Sequence, residues 1–137
     1  MKEIIDFLAK SGTFYLSTVN ENGMPEVRPF GFVMEWNGKP AFSTGTMKKV
    51  YRQLQDNPNV AICAYTQDSM QWMRISGKVK FTDDIAAKRK ILETMPFLKE
   101  IYKSEDNPVL ACFYIEEGEA AFYSFSSMNE PSDVIKF

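Results

Sequence analysis

Histidine is absent from this chain of 137 residues. Without an imidazole there is no Ser-His-Asp or Cys-His nucleophile, no histidine general base, and no histidine-ligated zinc or haem. The acidic side chains lack the spacing of a carboxylate metal site, so we expect no bound metal. The Gly-rich phosphate loops of dinucleotide-binding and P-loop proteins are missing as well. Any chemistry would therefore depend on a bound cofactor that the protein orients, and the sequence indicates no catalytic residue.

Cysteines are few, and no long apolar run is present. Cys63 and Cys112 each lie inside a short apolar stretch, which predicts two reduced, buried thiols in a reducing compartment. The longest wholly apolar run, Val109 to Ile115, is far shorter than the ~18 residues of a membrane span. Glu3 and Asp6 interrupt the amino-terminal stretch where a signal peptide would need an apolar core. We therefore expect a cytoplasmic protein with no membrane association.

Charge of either sign is not in excess, whereas aromatic residues are abundant. The 16 basic and 18 acidic residues give a net charge of −2, and the basic residues are dispersed, so we expect no nucleic-acid binding. Aromatic residues make up 14% of the chain, which favours β-strands over a helical bundle. The length fits one domain spanning residues 1–137, since no linker, repeat or low-complexity tract divides it.

Alternating apolar and polar residues predict six or seven strands with few helices, which favours an antiparallel barrel over a doubly wound parallel sheet. Asn37-Gly38 is a strong hairpin signal, and residues 116–119 are predicted to form a turn between the last two strands. Helices are predicted before Ser11-Gly12, after Thr46, over Ile85–Met95 and from Pro96 through Tyr102. The predicted strands are Thr13–Val19, Glu26–Glu35, Pro40–Thr44, Asn59–Thr66 (apolar on both faces), Trp72–Thr82, Val109–Ile115 and Ala120–Phe125.

The segment Phe42–Tyr51 contains the clearest local anomaly. A predicted strand ends in a small polar turn, and a helix then opens with Lys48 and Lys49 in its first turn. Cations at the positive end of a helix destabilise it by a few tenths to about 1 kcal/mol unless an anion compensates. Free backbone N–H groups flanked by hydroxyls and ammonium groups form a receptor for phosphate. The alternative is that both lysines are ordinary solvated surface residues.

Arg28 is a second candidate anion-binding residue. It shares strand parity with Phe30 and Phe32, so in a regular strand its side chain would point toward the apolar side. A buried arginine needs an anionic partner. The alternative is that a bulge at Pro29 directs Arg28 to the surface.

Four segments, which follow one another in the order typical of one family, carry a resemblance to known proteins. They are Val27–Phe32, Phe42–Lys49, Asp56–Val60 and Trp72–Gly77. The chain resembles the pyridoxamine 5′-phosphate oxidase-like family of FMN-binding split barrels, especially its short bacterial members related to general stress proteins. The resemblance covers nearly the whole chain, and it implies a mainly β fold: a six- to seven-stranded antiparallel split barrel with flanking helices. It also implies a homodimer with FMN at the subunit interface.

The resemblance also implies a set of cofactor-binding residues. The basic pair that holds the phosphate in the family falls on Lys48 and Lys49, and the strand arginine falls on Arg28. Trp72 stands where the oxidase itself has a glutamine. It would stack on the flavin or pack in a subunit interface, or it is an ordinary, partly exposed tryptophan. The segments that lie along the flavin contain Arg28, Pro29, Phe30, Ser43 and Thr44.

The implied activity is that of an FMN-dependent oxidoreductase acting on an unidentified small molecule. The oxidase holds its substrate's phosphate with an Arg-x-His element, whereas this sequence has no histidine and its last arginine is Arg89. We therefore expect no vitamin B6 oxidase activity. The main alternative is a flavin-binding, flavin-storage or stress-response protein without turnover. Two further alternatives are a cofactor-free structural dimer, and a deazaflavin or haem ligand in place of FMN.

Overall fold

One curled antiparallel sheet of eight strands forms the protein, and the computed structural model describes residues 1–137. Along the sheet the strand order is β2-β1-β5-β6-β7-β4-β3, and β8 pairs with β7. The strands are β1 Phe14–Val19, β2 Pro25–Phe30, β3 Met34–Trp36, β4 Lys39–Gly45, β5 Asn59–Thr66, β6 Gln71–Thr82, β7 Leu110–Ser124 and β8 Asp133–Lys136. The helices are α1 Lys2–Ser11, α2 Lys49–Asp56, α3 Ile85–Thr94 and α4 Leu98–Tyr102, and a 3-10 turn spans Phe125–Ser127.

The curl of the sheet is evident from contacts between strands that are not neighbours. Phe30 on β2 meets Phe113 on β7 with ring centroids 6.1 Å apart, although three strands lie between them in the sheet. No ladder joins β2 to β3, the strands at the two ends of the sheet. The predicted fold class is therefore confirmed: an antiparallel split barrel with flanking helices, although it contains eight strands rather than six or seven.

Two apolar clusters form the core. In the first, Ile4 and Leu8 of α1 pack with Val50 and Leu54 of α2 against the inner face of the sheet. In the second, α3 and α4 cover the side of the sheet formed by β3, β4 and β7. The second cluster consists of Phe32, Met34, Ala41, Ala87, Ile91, Leu92, Tyr102, Leu110 and Cys112.

The predicted strand Glu26–Glu35 is wrong as one continuous element. Residues 31–33 separate β2 from β3 because β2 pairs with β1 at one end of the sheet and β3 pairs with β4 at the other. The chain must cross between those ends, so it cannot stay in one ladder. The predicted hairpin at Asn37-Gly38 is confirmed: it joins β3 to β4, with φ of 49° and 75° at its two central residues.

The end of the chain also differs from prediction. The predicted turn at residues 116–119 lies inside β7, which runs unbroken past β6 with Gly77 opposite Gly118 and an irregularity at Lys78/Val79. A Cβ on Gly77 would lie 2.4 Å from the Glu117 carbonyl oxygen, so only glycine permits this close crossing. The short strand β8, which the sequence did not predict, pairs with the second half of β7.

Strand β5 was predicted to be apolar on both faces, and Ala61, Cys63 and Tyr65 do make its second face apolar, but only one face is buried in the single chain. Val60, Ile62 and Ala64 face the core, whereas Cys63 lies on the solvent side. The prediction that Cys63 is buried is therefore wrong in the single chain. Cys112 is buried as predicted, its burial raises the pKa of the thiol to about 12, and both thiols are free. None of the helices has the length and apolar character needed to cross a membrane.

Candidate functional site

A cleft of about 410 Å³ lies where β2, the end of β4, the start of α2 and the α3–α4 region meet. It brings together residues that are distant in sequence, and no acidic side chain lines it. Six of the eight cofactor-binding residues proposed from sequence line this one cleft. They are Arg28, Pro29, Phe30, Ser43, Thr44 and Lys48.

The start of α2 forms one end of the cleft. Lys48 is the N-cap residue and Lys49 the first helical residue, so the two lysines flank the helix start. No side chain caps this end, no acidic residue lies in the first turn, and the amides of Lys49 and Val50 make no hydrogen bond within the protein. Neither lysine pairs with a carboxylate, although six ion pairs form elsewhere. This end therefore offers positive charge and free donors without an internal partner.

Thr44 has the one fully buried side-chain oxygen or nitrogen that lacks a hydrogen-bond partner. The residue is only 4% exposed and lies on the cleft wall, near the end of β4. Leaving a buried hydroxyl unsatisfied costs about 1–3 kcal/mol, so native proteins rarely do so without a reason. A ligand with acceptor atoms in the cleft would supply the missing partner.

Arg28 points toward the inner side of the sheet, as its parity with Phe30 predicted. The ladder from β1 to β2 is regular through Leu16↔Arg28 and Tyr15↔Pro29, so there is no bulge at Pro29. Burial lowers the pKa of the Arg28 guanidinium and the Glu26 carboxylate opposes this shift, so the group keeps its charge at neutral pH.

The Arg28 guanidinium is held by oxygens of the protein. Its Nη1 atom donates to Thr18 Oγ1 at 2.8 Å and to the carbonyl oxygens of Leu16 and Glu26 at 3.2 Å. Its Nη2 atom donates to Gln53 Oε1 at 3.0 Å, and the Gln53 amide in turn donates to Glu26 Oε2 at 2.9 Å. The anionic partner expected for Arg28 is therefore reached through Gln53, and the network joins β1, β2 and α2 beside the cleft.

The opposite wall of the cleft is apolar and was missed at the sequence level. Phe97 and Ile101 are 55% and 61% exposed, which is unusual for large apolar side chains on a short helix and its flank. Exposure cannot be read from the sequence, and no local pattern places Phe97 and Ile101 opposite β4. The residues of this wall are Met95, Phe97, Leu98, Ile101 and Tyr102.

Lys49 and Trp72 do not line the cleft of the single chain. Trp72 lies on β6 and stacks on Tyr123 of β7, with ring centroids 5.5 Å apart and planes 5° apart. It belongs to the side of the sheet that points away from the core, which we call the outer face. The outer face includes Tyr15, Val27, Ala61, Cys63, Tyr65, Trp72, Arg74 and Tyr123.

The pyridoxamine 5′-phosphate oxidase family model matches residues 1–122 of the chain. This match spans the whole cleft and every residue of the outer face except Tyr123. The chain belongs to the pyridoxamine 5′-phosphate oxidase family. The resemblance seen in the four sequence segments is thereby confirmed.

Solved structures of the same fold support this assignment. A NimC/NimA family protein from Clostridium acetobutylicum is 36% identical, with a TM-score of 0.89 over 100% of this chain and 93% of that one. General stress protein 26 from Bacillus anthracis is 18% identical, with a TM-score of 0.74 over 99% and 98% of the two chains. A pyridoxamine 5′-phosphate oxidase-related, FMN-binding protein from Nostoc punctiforme is 16% identical, with a TM-score of 0.62 over 99% and 95%. No curated protein matches the sequence.

In this member of the pyridoxamine 5′-phosphate oxidase family, we expect the hydrogen bonds of Arg28 to stabilise the fold. Arg28→Met keeps the length of the side chain but removes the donors to Thr18 and Gln53, leaving polar atoms unsatisfied. We expect the free energy of unfolding of the ligand-free protein to fall by about 1–3 kcal/mol in urea denaturation. Arg52→Met, at an exposed position of α2, is the control and should change it by less than about 0.5 kcal/mol. Equal effects of the two substitutions would contradict a structural role for the network.

Proposed function

We propose that the protein is an FMN-binding flavoprotein and that the cleft holds the FMN phosphate. The observation that carries this proposal is the buried, unpartnered Thr44 hydroxyl beside Lys48 and the uncapped start of α2. Phosphate oxygens accept hydrogen bonds, and this end of the cleft presents an ammonium group, hydroxyls and free amides as donors, with no carboxylate. Lys48, Thr44, Ser43 and the free amides would bind the phosphate, and Lys49 would add charge from the same helix start.

The rest of the cleft suits the remainder of the cofactor. An isoalloxazine ring has two apolar faces, and the cleft provides Phe30 on one side and the Phe97–Ile101 region on the other. Its volume of about 410 Å³ falls within the range of small-molecule sites. Arg28 would contribute a nearby positive charge while its guanidinium is held by Thr18 and Gln53. The proposed cofactor-binding residues of one chain are therefore Arg28, Pro29, Phe30, Ser43, Thr44, Lys48 and Lys49.

Bound FMN would supply the electron-transfer chemistry, which no side chain of this protein can perform alone. The task of the chain is then to hold the phosphate, orient the ring against the apolar wall and exclude water from it. We propose a flavin-dependent oxidoreductase that acts on a small molecule, with its two free cysteines in the reducing cytoplasm. Vitamin B6 oxidase activity is not part of the proposal, because the sequence has no Arg-x-His element to hold that substrate.

We also propose a homodimer that packs through the outer face. Tyr15 and Val27, which line a depression of about 290 Å³, are 53% and 66% exposed there, and Tyr65 on the same face is 46% exposed. An exposed apolar patch of this kind marks an interaction surface. Pro29 pairs with Tyr15 in the sheet and also lines the cleft, so the outer face begins where the cleft opens. A second copy on this face would cover the cleft and bring its Trp72 toward the flavin.

The test of the proposed function is the visible spectrum of protein purified without added cofactor. We expect the two flavin absorption bands, release of FMN on heating, and recovery of the spectrum when FMN is added back to the stripped protein. If heating releases a deazaflavin or haem instead, that compound and not FMN is the ligand. Failure of the stripped protein to bind any of these would contradict the proposal.

Turnover is tested separately, because an enzyme and a flavin-storage protein need the same phosphate site. The loaded protein is mixed anaerobically with NADH or NADPH, and then with a panel of small-molecule acceptors. Reduction followed by reoxidation faster than free FMN under the same conditions supports an oxidoreductase. Bound flavin that exchanges electrons no faster than free FMN supports a binding or stress-response role.

A further inference from the structure

Tyr102, the last residue of α4, places a hydroxyl in the same cleft. The residue is 8% exposed and lines the cleft beside the apolar wall. Its pKa is raised, burial is the sole cause, and the phenol oxygen makes no hydrogen bond within the chain. Unlike Thr44 Oγ1, Tyr102 Oη is not fully enclosed by the protein. The Tyr102 hydroxyl therefore has no partner within the chain and is open to a ligand in the cleft.

The phenol oxygen lies directly against the β4–α2 turn. A Cβ on Gly45 would be 3.0 Å from Tyr102 Oη and 2.5 Å from Met47 Sδ. Gly45 does not have a positive φ, so its backbone conformation does not require glycine. The missing side chain instead leaves room for the hydroxyl beside the turn that connects Thr44 to Lys48.

Hydrogen bonds from the following loop hold Tyr102 in this position. Asn107 Nδ2 donates to the Tyr102 carbonyl oxygen at 2.7 Å, and Asn107 Oδ1 accepts from the Val109 amide at 2.9 Å. The Val109 carbonyl oxygen accepts from the Thr46 amide, also at 2.9 Å. The end of α4 and the β4–α2 turn are thus linked through residues 107–109. These bonds hold the backbone of Tyr102, and the burial of its ring restricts where the hydroxyl can lie before any ligand arrives.

We propose that Tyr102 Oη is a further donor to the FMN phosphate, acting beside Thr44 and Lys48. The inference rests on the proposed function. It adds a phosphate ligand from α4 to those already proposed from the end of β4 and the start of α2. A phenol with a raised pKa keeps its proton at neutral pH, so it donates to the phosphate rather than repelling it. A pre-positioned donor loses little conformational entropy on binding.

The test is Tyr102→Phe, which removes the oxygen and keeps the ring. Dissociation constants for FMN and for riboflavin, which lacks the phosphate, are measured by fluorescence titration of the stripped protein. We expect the FMN constant to rise by about 10- to 100-fold, as for a lost hydrogen bond to a charged group, and the riboflavin constant by less than about twofold. Tyr114→Phe is the control, because Tyr114 packs against the same apolar cluster but does not line the cleft; it should change neither constant.

A measurement without ligand separates a binding role from a structural one. An unpartnered hydroxyl contributes nothing to the fold, so the melting temperature of stripped Tyr102→Phe should be equal to or above that of the parent protein. Gly45→Ala retains the Tyr102 hydroxyl but crowds it. This variant should also weaken the binding of FMN more than the binding of riboflavin. The same loss for both ligands, an unchanged FMN constant, or a lower melting temperature for Tyr102→Phe would overturn the inference. Wild-type protein that binds no FMN would overturn the proposed function with it, whereas an effect-free Tyr102→Phe in an FMN-binding protein overturns only the role of Tyr102.

Discussion

Replacing both Lys48 and Lys49 with Ala is expected to cause the largest loss of FMN affinity. Each charge-assisted hydrogen bond lost costs about 1.5–3 kcal/mol, so the dissociation constant should rise about tenfold or more per lysine that contacts the phosphate. The affinity for riboflavin should fall far less, because riboflavin has no phosphate for the lysines to bind. The measurement is a pair of titrations of the stripped double variant with FMN and with riboflavin.

The structure sharpens this expectation for the single variants. Lys48 lines the cleft and Lys49 does not, so Lys48→Ala should have the larger effect. Without ligand the double variant should be as stable as the parent or slightly more stable, because cations are unfavourable at the start of α2. The charge-matched control replaces Lys78 and Lys99, which are exposed and form no ion pair. Equal losses for FMN and riboflavin, or clear destabilisation of the ligand-free protein, would show that Lys48 and Lys49 are structural.

Ala61→Arg is expected to dissociate the proposed homodimer and to weaken FMN binding with it. Ala61 is exposed on the outer face of β5, opposite Ser17 and Ser76, so the single chain has room for a longer side chain. In a symmetric dimer the substitution buries two unpaired charges, and each desolvated ion costs several kcal/mol. Light scattering at low micromolar concentration should give the dimer mass for the parent protein and the monomer mass for the variant.

Two comparisons make the dimer test specific. Ala9→Arg is the matched control, because Ala9 is an exposed alanine of α1 away from the outer face, and this variant should stay dimeric. Cys63 supplies an internal probe: its thiol is exposed in the single chain, so it should react slowly in the dimer and quickly in Ala61→Arg. A monomeric parent protein that binds FMN tightly would refute an interface site. Dimeric Ala61→Arg with a protected Cys63 would refute the choice of the outer face.

Local patterns predicted most of the elements but not where they meet. The Asn37-Gly38 hairpin and the helix after the Thr46-Met47 turn follow from turn chemistry and short-range periodicity, and both form as expected. The predicted strand Glu26–Glu35 was wrong because continuous alternation does not reveal that the chain changes ladders at residues 31–33. Strand β8 was missed because its four residues gain their order from pairing with β7.

The buried or exposed state of individual residues also needed the tertiary structure. Cys63 and Cys112 lie in similar apolar stretches. Cys63 is exposed on the outer face, whereas Cys112 is buried between the sheet and the helices α3 and α4. An apolar segment does not indicate which face of its strand will be buried, because that depends on which elements pack on each side of the sheet. For β7 the cover is supplied by α3 and α4, whereas nothing in the single chain covers the outer side of β5.

The sequence by itself determined the family, the antiparallel fold class and the position of the helix start that carries Lys48 and Lys49, because each depends on residues close together in the chain. Only the tertiary structure decided that Arg28, Thr44 and Lys48 share one cleft, that Arg28 is held by Thr18 and Gln53, and that Phe97, Ile101 and Tyr102 form the facing wall. The curl of the sheet and the docking of α4 bring these residues together across more than fifty positions of sequence. Such contacts follow from how whole layers pack, which no local pattern encodes.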